Sequence, residues 1–272
     1  MTAIETALEE IAASKPLSRY AKQILALVRP HLRFTPRKGK AADTKPGASR
    51  LGGEPDLPSG TAWPIGPGFD GEAPMDFLAQ LDLDAIAPRD VDGLLPKSGV
   101  LAFFLAQNYD GCAVIHGERD AVVRVPRPGR RKTAKPPRWG GFDVTAEMVL
   151  PPPWSQFVSS AARSATMWNS RTGERGKGKT QVELPAAAHE TYVEIYERWL
   201  EGVGYTQHGM FGYERMMETA QQADELVLLR IDHHGFSDYD FVELVSVYWF
   251  ITEEALAGQQ FDKVEACCGS TI

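Results

Sequence analysis

Three features of the 272-residue sequence point to an α+β fold, mainly antiparallel in its sheets, with flanking helices. Short apolar runs bounded by turn residues outnumber helical stripes. Helices do not alternate regularly with strands, which argues against a doubly wound parallel sheet. Two stretches, near residues 77–105 and 227–251, follow one pattern and suggest an internal pseudo-duplication. The expected division is an N-terminal helical segment over 1–34 and one domain over 35–272. That domain would hold two pseudo-repeats, about 50–150 and 205–268, joined by a loop and a helix.

In chain order, Ile4, Ala7, Leu8 and Ile11 share one helical face. Leu17, Tyr20, Ala21, Ile24, Leu25 and Val28 continue it toward Pro30 and residue 34. Residues 35–50 read as a polar loop. Phe77–Leu81 and Val100–Ala106 are apolar runs of strand length. Cys112–His116 and Ala121–Val125 look like strands joined by a hairpin turn at Gly117–Asp120. Asp143–Leu150 reads as a strand that stops at Pro151-Pro152-Pro153. Residues 164–180 have the composition of a disordered loop. Tyr192, Ile195, Tyr196, Trp199 and Leu200 then fall at helical spacing, with Gly202 expected just past the end. Leu226–Ile231 and Glu243–Ile251 are strands, Thr252 caps a short helix, and Phe261–Cys267 is a last edge strand.

The two similar stretches are Phe77-Leu78-Ala79-Gln80-Leu81-Asp82 and Val227-Leu228-Leu229-Arg230-Ile231-Asp232. An aromatic strand follows each, and the separations are about 150 and about 146 residues. A glycine turn precedes each, Gly52-Gly53 and Gly212-Tyr213.

The net charge of −7 is unevenly spread. Residues 1–180 carry 25 Lys and Arg against 19 Asp and Glu, whereas residues 181–272 carry 4 against 17. Basic clusters at Arg29–Arg50, Arg119–Arg138 and Arg163–Lys179 read as solvated loops. Aromatics do not interleave with them, so nucleic acid is not the expected partner. No apolar run is long enough to span a membrane, and the acidic N-terminus lacks a signal-peptide pattern. Three cysteines, Cys112, Cys267 and Cys268, fit reduced thiols in a cytoplasmic protein.

The run Leu51-Gly52-Gly53-Glu54-Pro55-Asp56-Leu57-Pro58 and then Trp63-Pro64 resembles the opening signature of the YwqG-like family, a bacterial domain of unknown function. Phe77-Leu78-Ala79-Gln80-Leu81-Asp82 and Leu94-Leu95-Pro96-Lys97-Ser98-Gly99 extend the likeness. So do His208-Gly209-Met210-Phe211-Gly212-Tyr213 and Leu228-Leu229-Arg230-Ile231-Asp232. Two positions depart from the family pattern: Arg230 stands where Gln is usual, and Phe236–Asp240 replaces a Trp-Gly-Asp turn. The resemblance covers about residues 50–265. It implies an α+β fold with a duplicated core and supplies no reaction. Members near polymorphic toxins imply an immunity or partner-binding role.

The expected function is a non-catalytic, cytoplasmic module that binds another protein or a peptide, without a cofactor. A seam between two repeats is where a ligand groove belongs. Its candidate lining is Arg50, Trp63, Gln80, His208, Tyr213 and Arg230. Trp63 is read either as a core anchor or as a ligand contact. The alternative is a metal-dependent hydrolase using Asp232 and His233, with Asp238, Asp240 or His208 completing a divalent site. No nucleophile elbow, P-loop, G-x-G-x-x-G or H-E-x-x-H occurs.

Overall fold

Thr2 caps the first helix reciprocally: its hydroxyl accepts from Glu5 N, and Glu5 accepts from Thr2 N. That helix is α1 (Ala3–Ala13), and α2 (Ala21–Leu25) follows a turn. The computed structural model describes residues 2–38, 45–129, 139–164, 168–169, 174–175, 180–204, 208–215, 221–232 and 244–270.

Helix does not run on to residue 34. Arg29–Lys38 form strand β1, so the boundary expected at 34/35 falls inside a strand. The reason is a period-two pattern, with Leu32 and Phe34 both buried on one face. Pro30 and Pro36 lie beyond the four residues that pair with β15 (His208–Phe211). On its other side β1 pairs along its whole length with β10 (Trp139–Val149).

Two sheets dominate the molecule. The smaller has the order β2-β6-β7-β8, from Arg50–Leu51, Asp76–Asp82, Val100–Leu105 and Cys112–Gly117. The larger has the order β10-β1-β15-β16-β17-β18, where β16 is Glu225–Asp232, β17 is Leu244–Thr252 and β18 is Glu265–Ser270. Their pairings are all antiparallel, as the sequence predicts.

Strands β15–β18 reproduce β2-β6-β7-β8 in order, direction and register. Gln80 opposes Ala102 as Arg230 opposes Tyr248, and Asp82 opposes Val100 as Asp232 opposes Ser246. Both ladders slip at one place, between Phe77 and Ala79 and between Val227 and Leu229. Arg50 faces Gln80 as Gly209 faces Arg230. On the far side, Phe103 pairs with Val114 as Trp249 pairs with Ala266. The backbone after the first strand turns left-handed twice in each unit, at Gly52 (φ 68) and Gly53 (φ 80), and at Phe211 (φ 63) and Gly212 (φ 69).

The two sheets pack face to face. Leu81, Leu101 and Phe103 from one join Ile231, Val247 and Trp249 from the other in a single buried cluster. The rings of Phe103 and Trp249, at matching positions, meet edge-on at 5.6 Å. Helix α1 and the long α5 (Ala186–Val203) pack together in a second buried cluster that takes in Val149 at the end of β10 and Tyr213.

Smaller elements complete the frame. They are β3 (Asp56–Pro58), β4 (Ile65–Gly68), β5 (Gly71–Pro74), α3 (Leu83–Ile86), β9 (Val122–Arg124), β11 (Val158–Ser160), α4 (Ala161–Ser164), β12 (Trp168–Asn169), β13 (Glu174–Arg175), β14 (Val182–Leu184), α5 (Ala186–Val203) and α6 (Glu253–Ala257). Helix α5 buries the predicted stripe of Tyr192, Ile195, Tyr196, Trp199 and Leu200. It runs past Gly202 and stops at Gly204, whose φ of 90° a helix cannot continue.

The expected hairpin at Gly117–Asp120 does not form. Strand β9 pairs with β3 instead, where Arg124 reaches the Asp56 carboxylate. The first basic cluster is also no solvated loop, because much of it is strand. Arg33 pairs with Glu147, Arg37 with Asp143 and Arg50 with Asp56. Residues 130–138 and most of 164–180 lie outside the described residues. No described helix is long and apolar enough to cross a membrane.

Candidate functional site

Polar residues on the outer face of each four-strand unit form a distinct network. In the first unit the centre is Asp56, which β3 places over Gln80 and Arg50. Arg50 is fully buried, and its Nη2 lies 2.5 Å from Asp56 Oδ2. The same nitrogen donates to Gln80 Oε1 at 3.0 Å. Gln80 Nε2 donates to Asp56 Oδ2 at 2.9 Å, and Arg124 Nε donates to Oδ1 at 2.7 Å. Gly47 N adds a bond of 2.7 Å. Burial opposes the charge on Asp56, but the bonds from Arg124, Gln80 and Arg50 outweigh it. The carboxyl is held below its usual range. This network is closed.

In the second unit Arg230 stands at the Gln80 position and grips Asp232 with two bonds, Nε to Oδ1 at 2.7 Å and Nη2 to Oδ2 at 2.9 Å. Ser246 Oγ also donates to Oδ1, at 2.6 Å. The Asp232 N–H donates to His208 Nδ1 at 3.1 Å. In the first unit Asp82 N donates to Ser49 Oγ at 2.8 Å, so His208 takes the place of Ser49. Burial lowers the His208 pKa to about 4, and its neutral ring is the acceptor.

Arg215 stands where the first unit has Asp56, four residues past the start of each left-handed pair. Its backbone N–H donates to Tyr248 Oη at 3.1 Å. Its guanidinium lies over the Trp199 ring, 5.6 Å from the centroid. Burial lowers its pKa.

The six residues singled out from the sequence are all buried, and they do not gather on one open groove. Arg50 and Gln80 share the Asp56 network. His208 and Arg230 share the Asp232 network on the other sheet. Trp63 donates from Nε1 to Met75 O at 3.0 Å and meets Phe104 edge-on at 5.4 Å. Of its two readings, this geometry is that of a core anchor. Tyr213 donates to Leu27 O and stands beside Arg29, whose guanidinium lies 4.8 Å from its ring centroid.

Among the proposed metal ligands, both Asp232 oxygens face Arg230, a cation that a metal ion would have to displace. His233, Asp238 and Asp240 lie outside the described residues. Among the described residues no group of three His, Cys, Asp or Glu is placed to hold a metal. Cys112, Cys267 and Cys268 are free thiols.

Sequence reasoning missed Arg215. The left-handed turns reveal it, since setting Gly53 on Gly212 sets Asp56 on Arg215.

No curated protein matches the chain. The match to a family described as a domain of unknown function, DUF1963, covers residues 49–268. It begins just before β2 and ends within β18, so it takes in both four-strand units. It excludes α1, α2 and β1. The chain belongs to the DUF1963 family, as its YwqG-like motifs imply.

Proposed function

We propose that this chain is a non-catalytic, cytoplasmic module that binds another protein through the hairpin β4–β5. One observation carries the reading. Phe69 at the hairpin tip is 69% exposed and Ile65 is 52% exposed, although the hairpin backbone is firmly tied down. Gln107 Nε2 and Arg127 Nη2 both donate to Pro74 O, and Met75 N donates to Pro64 O. Phe69 leans on Tyr109, with ring centroids 6.4 Å apart. A hairpin held at its base that presents apolar side chains to water is what a protein partner covers. An immunity-like role is one form of this reading.

The matching registers of the two units support their descent from one duplicated ancestor. The hydrolase alternative gains nothing from Asp232, whose oxygens already serve Arg230 and Ser246.

The test is affinity capture from host lysate with the wild type and with the double variant Ile65→Ser, Phe69→Ser. Each captured protein is then purified and mixed with both. A purified partner that binds the wild type stoichiometrically and loses the double variant supports the reading. Equal binding by both moves the interface elsewhere. If no captured protein rebinds once purified, the protein-binding reading falls.

A further inference from the structure

We propose that Arg215, with Tyr196 and Trp199 of α5, forms a socket for an oxyanion group, a carboxylate or a phosphate, on a small ligand. The socket lies between α5 and the outer face of the second unit, away from the β4–β5 hairpin, and so does not depend on the protein-binding reading.

Three hydrogen-bonding groups on neighbouring side chains lack a hydrogen-bond partner there among the described residues. Arg215 Nη1, Tyr196 Oη and Trp199 Nε1 are each sealed from solvent, and each lacks a hydrogen bond among the described residues. They are neighbours. The Tyr196 and Trp199 ring centroids are 5.4 Å apart, and the Arg215 guanidinium is 5.6 Å from the Trp199 ring. Tyr196 and Trp199 are buried, while Arg215 is partly exposed. A guanidinium nitrogen and two further donors, sealed on neighbouring side chains without a hydrogen bond among the described residues, are costly, because each has lost water without a bond in return. All three can donate to an oxyanion.

The nearby carboxylates have other donors. Asp232 is gripped by Arg230 and Ser246. Glu214 accepts from Gln221 N at 2.6 Å. Glu147 is shared by His31 and Arg33. Among the described residues Arg215 forms no ion pair. The first unit shows what this frame does with an oxyanion. There the chain supplies its own, Asp56, and surrounds it with Arg50, Gln80, Arg124 and Gly47 N. At the same register the second unit presents Arg215, a cation. The matching anion then has to come from outside the described frame.

The experiment is calorimetric titration of the full chain with inorganic phosphate and, separately, with acetate at constant ionic strength. The variants are Arg215→Gln, Tyr196→Phe, Trp199→Phe and, as a surface control, Arg37→Gln. The wild type should bind one of the two ions saturably at one site. Preference for phosphate or for acetate identifies the group. Arg215→Gln should bind roughly ten- to a hundredfold more weakly, the loss of one charge-assisted bond. Tyr196→Phe and Trp199→Phe should weaken binding by smaller factors, and Arg37→Gln should not change it. If Arg215→Gln does not fold, the two aromatic variants decide. Absence of saturable binding of both ions by the wild type overturns the proposal. So does unchanged binding in folded Arg215→Gln, or in both aromatic variants.

Discussion

The two four-strand units share a backbone and differ in what fills their outer faces. In the first, Asp56 meets Arg50, Gln80 and Arg124, and every charge has its counterpart. In the second, Arg230 and Asp232 satisfy each other, while Arg215 is left beside Trp199 and Tyr196. Identical pairing geometry therefore does not dictate identical chemistry. The ladder fixes where a side chain starts, and the residue type decides whether that place is closed or open. A closed polar network is a structural device. An open one carries a cost that a ligand can repay.

The largest expected effects test that contrast directly. Arg50→Leu takes one of two guanidiniums from the buried Asp56 carboxylate and should cost about 3–5 kcal/mol in urea unfolding. Arg215→Leu removes a charge that forms no ion pair among the described residues and should leave stability within about 1 kcal/mol of the wild type, or raise it. Equal, large losses for both would mean that the second network is as closed as the first. Trp63→Ala should also cost about 3–5 kcal/mol, as a core anchor does. A wild-type melting curve for that variant would return Trp63 to the surface.

A second contrast is between Ser49 and His208, which accept equivalent backbone N–H groups. Only the histidine titrates. Its folded pKa of about 4 lies below the ordinary 6.5, so protonation favours the unfolded chain. Stability should then fall as pH drops from 6.5 toward 4, by up to about 3 kcal/mol from this group. His31, also lowered to about 4 by burial, adds to the same window. His208→Ser copies the first unit and should flatten the urea midpoint against pH across that range. An unaltered pH profile would show that His208 does not carry it.

A smaller loss than these is expected at the paired left-handed turns. Gly212→Ala places a Cβ at φ 69°, 3.0 Å from Val149 Cγ2 and 3.3 Å from His31 Cβ. A loss of about 1–2 kcal/mol is expected by thermal unfolding. Phe211 already tolerates φ 63° with its ring buried, so Phe211→Gly trades strain for lost packing and should not stabilise.

Much of this frame was legible in the sequence because strand pairs repeat their apolar runs. The run 77–82 and the run 227–232 announce matching strands at a spacing of 150. The α5 stripe was equally plain, since Tyr192, Tyr196 and Trp199 share one face. Strand β1 was not, because Leu32 and Phe34 give only two inward positions and an upstream helical stripe runs into them. The hairpin at Gly117–Asp120 was misread for another reason. Its turn residues were right, but the partner of β9 is a distant strand fixed by an Asp56–Arg124 ion pair. Burial of charge was the hardest to see. Arg50, Gln80, His208 and Arg230 looked like groove residues because their types are polar. Whether a polar side chain faces water or another side chain depends on contacts that a single sequence does not spell out.

Strand β1 also sets a timetable for folding. Its partners are β10, which ends at Val149, and β15, which ends at Phe211. On the ribosome β1 waits for roughly 170 further residues before both edges close, or about 10–35 s at usual rates of synthesis. Until β10 emerges neither backbone edge has its partner, and the edge that takes β15 stays open until residue 211. Pro30 and Pro36, with Arg29, Arg33 and Arg37 between and beside them, make it a poor template for other strands. Strand β1 is protected by its composition until β15 arrives to cover its second edge.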